Sequence, residues 1–541
     1  MRWLAVAAAL LVAFAAAVVL ISSPGQTRHR RPAVQTRHQR PVCRQPLLGL
    51  GCGHGPGIFV AEDSAGAADG TSCANPRSAS WFDDGRNWGP SPGEIGAGTI
   101  VHLCGTISTP LIVGGSGTPG QPIVIYFEPG SSIAMPACPG RDRGCLNTNG
   151  QSHLTIDGGS DGTIESTANG TGLALHDNDV AGIWALDCTG CTIEGLTVRD
   201  MYVHSSATDV AADADVGIYF SGSGLRIADN TLHDTTAALV AEWNAHDANV
   251  SINDNNIYNS DHGFSSSANQ AGGDIGPIRF YGNHVHAYAN WDTTTAAYHH
   301  DGIHCYTSAG GLAAHYNGLY IYDNVLDGPT DLSGSPDGDD MTAQIFLEGG
   351  SGSGATPCAD RTSKIWIFNN FLGETAFMND GLIDTASGRP HVYNNTMLGV
   401  DATRGTCYAS NSDATGGDFA NNVMATCGTL IYNNDGARVY AAGNPDYNVY
   451  ANGGENAFVC GGSYLPFTAF TQWQACIGGD RHSRTTSALR LNGDGSLSSG
   501  TPARGAGRNL TSLCSGELMT LCRGINGAPR PQSGAWDAGA Y

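Results

Sequence analysis

Between Leu225 and Asn444 one short pattern returns seven times, an apolar residue three places before an Asn and another two places after it. The segments read LRIADNTLHD, VSINDNNIYN, IRFYGNHVHA, LYIYDNVLDG, IWIFNNFLGE, HVYNNTMLGV and DFANNVMATC. Their Asn residues stand at 230, 255, 283, 324, 370, 395 and 422, and Asn444 in YAAGNPDYN is expected to continue the series. The intervals are 25, 28, 41, 46, 25, 27 and 22 residues. A unit that recurs at such lengths and cannot bury its own apolar face specifies a solenoid, not a row of separate domains.

Within each repeat the residues before the Asn alternate at period two, so Leu225 and Ile227 face one way while Arg226 and Ala228 face the other. These read as strands of about five residues. Asn tolerates the left-handed backbone, so an Asn between two short strands is expected to make a bend of fixed geometry. Stacked coils then bring the Asn amides into hydrogen-bonding register along the stack. With these features the chain resembles the right-handed parallel β-helices of the pectin-lyase-like superfamily, whose coils carry three strands and often an Asn ladder. The resemblance covers residues 58 to 541. It implies an all-β, right-handed three-sheet parallel β-helix with substrate lying along the first sheet. That sheet is expected from the runs GIWAL at 182, GIYF at 217, HGF at 262, DGIHCY at 301, QIFLE at 344, GLID at 381 and TLIY at 429.

The expected divisions are an apolar segment (1–23), a basic linker (24–56), N-terminal cap coils (57–150), the β-helix (151–450) and C-terminal coils with a closing segment (451–541). Residues 3–21 are almost wholly apolar behind Arg2, which implies export, either as a cleaved signal peptide or as a retained membrane anchor. A secreted or cell-surface monomer is expected. Sixteen cysteines fit that compartment and pair plausibly with sequence neighbours: 43–52, 73–104, 138–145, 188–191, 305–358, 407–427, 460–476 and 514–522. Cys188 and Cys191 read as a turn staple, since no second CxxC completes a zinc site. GINGAPRPQSGAWDAGAY at 524 resembles the closing segment of bacterial β-helix proteins, a structural part.

Charge narrows the partners. The first 40 residues hold six Arg and no acid, leaving 20 bases against 49 acids in the rest, a body that repels nucleic acid.

Chemistry is expected where the intervals swell to 41 and 46, because extra residues there must form loops beside DGIHCY and QIFLE. Those segments hold Tyr298, His299, His300, Asp301, His304, Tyr306, Asp337, Asp339, Asp340 and Glu348. Glycosyl hydrolysis needs two carboxyl groups about 5–9.5 Å apart, and neighbouring coils about 4.8 Å apart supply them from Asp301 with Asp339, Asp340 or Glu348. Asp301-Gly302-Ile303 also resembles the Asp-Gly-Ile of polygalacturonase-type hydrolases, and Asp339-Asp340 is similar to their Asp pair; the Gly-His-Gly and Arg-x-Lys motifs of that group have no counterpart. His300 and His304 join the catalytic candidates, and Tyr298, His299, Tyr306 and Trp243 the substrate-binding ones. Trp184 and Tyr219 share with Trp243 the choice between sugar platform and packing.

Other readings stay open. Asp-Gly is also a turn pair, repeated at Asp380-Gly381, and DGDD is a solvated loop or a calcium site. No cofactor is required by the hydrolytic chemistry, calcium being the one option. A polysaccharide lyase or uronate epimerase would need a base beside a cation, and Lys364, the sole lysine, starts a strand. A glycan-binding or surface structural solenoid is the third class. The leading expectation is a protein that cleaves an extracellular polysaccharide by carboxylate-based hydrolysis.

Overall fold

The computed structural model describes residues 57–140, 142–169, 173–175, 179–202, 215–267, 273–288, 300–307, 312–328, 341–349, 356–373, 378–410, 416–433, 440 and 444–541. The apolar segment, the basic linker and the pair Cys43 and Cys52 lie outside them. Among the described residues no helix is long and apolar enough to cross a membrane.

Thirteen strands, from Ile58–Ala61 to Phe419–Ala420, form one parallel sheet. Its inward column places Ile156, Ile193, Ile227, Ile252, Phe280, Ile321, Ile367, Val392 and Phe419 in consecutive register, each at most 1 % exposed. Every member thus buries a full side chain against its copies above and below, worth about 1.5–3 kcal/mol each. The expected first sheet has an equivalent column of Ile183, Ile218, Leu239, Phe264, Ile303, Ile345 and Ile383. The remaining face stacks Ile164, Val198, Leu232, Ile257, Val285, Leu326, Leu372 and Met397. Two strands, Thr231–Glu242 and Asn256–Ser267, run through the bend between these last two faces at Asp234 and Asn259, whose φ values are 53° and 51°. The chain is the expected three-sheet parallel β-helix. The first sheet also holds strands absent from the sequence reading, among them residues 237–242 within Thr231–Glu242 and Thr406–Ser410 between the expected runs, and Leu111–Ile112, Leu146–Asn147 and Phe458–Cys460 beyond them.

The Asn ladder is continuous. Each amide Nδ2 donates to the Oδ1 of the next Asn at 2.9–3.2 Å through Asn230, Asn255, Asn283, Asn324, Asn370, Asn395 and Asn422. Two expectations are corrected here. The eighth member is Asn448, whose Oδ1 accepts from Asn422 Nδ2 at 3.2 Å, while Asn444 precedes a cis proline and donates to Asp418. The left-handed residue is the one before the ladder Asn, namely Asp229, Asp254, Gly282, Asp323, Asn369, Asn394, Asn421 and Tyr447. The ladder Asn is held by its side chain and its predecessor makes the bend.

Seven of the eight expected disulfides are formed, 73–104, 138–145, 188–191, 305–358, 407–427, 460–476 and 514–522. Residues beyond 500 return along the outside of the ladder sheet, where Leu510, Leu521 and Trp536 cover Tyr320, Tyr322, Phe368 and Tyr393. Arg530 fastens this strap, its guanidinium donating to Asn369 Oδ1 at 3.1 Å and to the carbonyls of Arg523 and Gly539. Trp536 packs in this strap, and Asp537 Oδ1 accepts the Gly505 N–H at 2.8 Å, so the closing segment is held by structural contacts.

Candidate active site

The first sheet brings Asp301, His304 and Glu348 together. Asp301 opens the strand Asp301–Tyr306, which pairs with Met341–Leu347 so that Asp301 lies opposite Ala343 and Cys305 opposite Leu347. Asp301 Oδ1 accepts the Ala343 N–H at 2.9 Å, so one carboxyl oxygen fastens the next coil. Its Oδ2 lies 3.5 Å from His304 Nδ1. His304 Nε2 in turn lies 3.5 Å from Glu348 Oε2. The imidazole thus stands between two carboxyl groups from adjacent coils. Glu348 follows the strand Met341–Leu347; its N–H donates to Cys305 O and its carbonyl accepts from Cys358 N, inside the loop that the Cys305–Cys358 disulfide closes.

The preceding coil adds two residues that the sequence reading passed over. His262 and Asp261 belong to the strand Asn256–Ser267, in which Phe264 pairs with Ile303 and Ser265 with His304. His262 Nδ1 lies 2.6 Å from Asp261 Oδ1 and its Nε2 lies 3.9 Å from Asp301 Oδ2. His300 Nδ1 lies 2.9 Å from the other Asp261 oxygen. Burial alone would raise the Asp261 carboxyl, but the two imidazoles and their hydrogen bonds overcome it and hold the group well below the usual carboxylate range. Asp261 is therefore a buried anion that orients two histidines.

A repeated signal could have revealed this. Asp261-His262-Gly263-Phe264 and His300-Asp301-Gly302-Ile303 occupy equivalent places on successive coils. Glycine is needed there because a Cβ on Gly302 would sit 2.6 Å from Gln344 O, and one on Gly263 2.5 Å from Gly302 O.

The remaining candidates divide clearly. His300 is 4 % exposed and turned toward Asp261. Tyr306 is half-buried at the end of its strand, its ring 5.1 Å from that of His304. Trp243, expected as a sugar platform, is corrected to core packing, since it is 1 % exposed and its Nε1 donates to Ser266 Oγ at 2.8 Å. Trp184 and Tyr219 stack at 4.3 Å in the outward column that continues through Val240 and Ser265 to His304. Tyr298, His299, Asp337, Asp339 and Asp340 lie outside the described residues. Exposure grades the cluster, Asp301 being fully buried and the Glu348 side chain 24 % exposed. Of these two carboxyls Glu348 is the one open to solvent.

No protein-family profile and no curated protein matches this chain. Among solved structures, XylC in complex with xylose superposes with a TM-score of 0.47 at 10 % identity, covering 89 % of this chain and 98 % of that one. The pectate lyase Pel9A gives 0.37 at 12 % identity over 90 % of this chain and 95 % of its own. A lacto-N-biosidase from Eubacterium ramulus gives 0.37 at 13 % identity, with 74 % and 64 % covered. The fold assignment rests on the strand register itself.

Proposed function

We propose that this protein cleaves an extracellular glycan by hydrolysis on the first sheet. Glu348 is the general acid, and the His262–Asp301–His304 group is the side that binds and deprotonates water. The observation that carries this reading is the placement of Asp301 and Glu348, from adjacent coils, on either side of His304. In the reaction the glycosidic C–O bond breaks and the leaving oxygen takes the proton of Glu348. The water oxygen bonds to the anomeric carbon, and its proton passes to the buried cluster. His304 Nε2, 3.5 Å from Glu348, is placed to return that proton.

The charge of the chain supports a neutral or weakly acidic glycan over a polyuronate, since an acidic body repels an acidic polymer. Seven disulfides support an oxidising, extracellular setting. Tyr219, half-buried in the outward column against the buried Trp184, supports an extended site. It lies three coils from His304, roughly 14 Å at about 4.8 Å per coil.

The test is a panel of neutral and acidic polysaccharides read for new reducing ends and for ultraviolet absorbance. Wild type should release reducing ends without an unsaturated product, while Glu348→Gln and Asp301→Asn, folded as judged by circular dichroism, lose at least about 100-fold in rate. An absorbing unsaturated uronyl product would assign the site to a lyase. Retention on a glycan column with no product would leave binding alone.

A further inference from the structure

We propose that His262, Asp301 and His304 bind one divalent d-block cation, zinc being the type, with Asp261 and Glu348 orienting the two imidazoles. The inference deepens the hydrolytic reading and rests on it for the ion's role, though not for its binding.

The donor atoms are already gathered. One nitrogen of His262, one carboxyl oxygen of Asp301 and one nitrogen of His304 lie within 4.8 Å of one another. Asp301 Oδ2 is central, 3.9 Å from His262 Nε2 and 3.5 Å from His304 Nδ1. Bonds of about 2.0–2.2 Å to a tetrahedral ion set its donor atoms roughly 3–4 Å apart, so small side-chain rotations complete the set.

The outer contacts point the same way. Metal-ligating histidines characteristically donate their second ring N–H to a carboxylate, which fixes the tautomer and aims the other nitrogen at the ion. Here a carboxylate oxygen lies beside each second nitrogen, Asp261 Oδ1 at 2.6 Å from His262 Nδ1 and Glu348 Oε2 at 3.5 Å from His304 Nε2, as close ion-pair contacts and not as aligned hydrogen bonds. A turn or a packing role requires neither arrangement. Backbone rigidity adds to this, because the ligands sit on two paired strands and not on loops.

Two imidazoles with one carboxylate suit zinc and its neighbours, whereas calcium and magnesium take oxygen donors. Three protein ligands leave a fourth tetrahedral position for water or substrate. A cation there would bring the acidity of bound water toward neutrality, the task assigned above to this side of the site. The competing account is a protonated His262 bridging Asp261 and Asp301 with no ion.

The full chain, stripped with chelator and then dialysed against zinc, is assayed for retained metal by atomic emission. Wild type should hold about one equivalent, His262→Ala and Asp301→Ala should hold less than a tenth, and Asp261→Asn and Glu348→Gln should each bind about 10–100-fold more weakly. Cobalt substitution should give visible bands of a histidine-carboxylate site in wild type, a readout independent of any variant's folding. Wild type that retains no metal and gives no cobalt spectrum, or His262→Ala that binds as wild type does, would overturn the proposal. Metal binding with no glycan cleaved would sink the hydrolytic reading alone, and cleavage by metal-free protein would sink the ion's role.

Discussion

Asp323 shows how one residue sets a pH dependence. It makes the left-handed bend before ladder residue Asn324, with φ of 55°, and its Oδ1 is sealed from solvent. Burial pushes its carboxyl from the ordinary 3.8 up to about 7, against the smaller opposing pulls of the Asn369 amide and the Arg530 guanidinium. Between those two values the unfolded chain has released a proton that the folded protein still holds, so this group lowers stability as pH rises through the window. The same position in the next three coils holds Asn369, Asn394 and Asn421, all with positive φ. Asp323→Asn should therefore stabilise the fold at pH 7.5 by about 1–3 kcal/mol and much less at pH 4.5. Urea denaturation at both values checks this, and equal midpoints for variant and wild type would contradict it. At this scale the site was partly legible. Asp301, His304 and Glu348 stand out because a turn needs no flanking histidines, whereas His262 is hidden in HGF, a run whose apolar Phe264 reads as core, and Asp261 stands just before it.

At the scale of the element, the ladder is the device that holds the coils in register. Asn370 Oδ1 accepts the Asn324 N–H at 3.1 Å, and its Nδ2 donates to Ile321 O at 2.9 Å. Asn370→Ala strips partners from two buried backbone groups at once, which should cost about 2–5 kcal/mol. Thermal unfolding with amide exchange read along the strands Leu319–Tyr322 and Ile365–Phe368 checks it; a loss under 1 kcal/mol with unchanged protection would show the ladder to be incidental. The ladder was readable because its amides demand one residue type at every coil. Its end was misread because Asn444 matches in type but lacks the apolar pair. Asn448 fits two places after with Tyr450, buried in the stacked column. The bend was credited to the ladder Asn since Asp and Asn share the left-handed tolerance, and sequence alone does not separate adjacent residues of that kind.

Across the whole molecule, a periodic body is closed by an aperiodic strap. The outward row Tyr281, Tyr322 and Phe368 stacks at 4.9 Å per step and would be an exposed aromatic face without residues beyond 500. The sequence marks the closing segment at 524 by resemblance but not the face it covers, because the strap consists of short turns that carry no repeat, anchored by contacts such as the paired Arg279 and Glu517. What periodicity did foretell is the coil stacking, which brings Glu348, one of the three partners offered for Asp301, to the other side of His304 from it across 47 residues of chain. That meeting is the centre of the account. Its most direct test is a double-mutant cycle on the rate of reducing-end release, using His304→Ala, Glu348→Gln and the two combined. Groups that pass one proton between them fail together, so each single variant should lose about 100-fold or more and the double variant should fall no more than about threefold below the worse single. Losses that multiply, or a His304→Ala enzyme close to wild type, would contradict it.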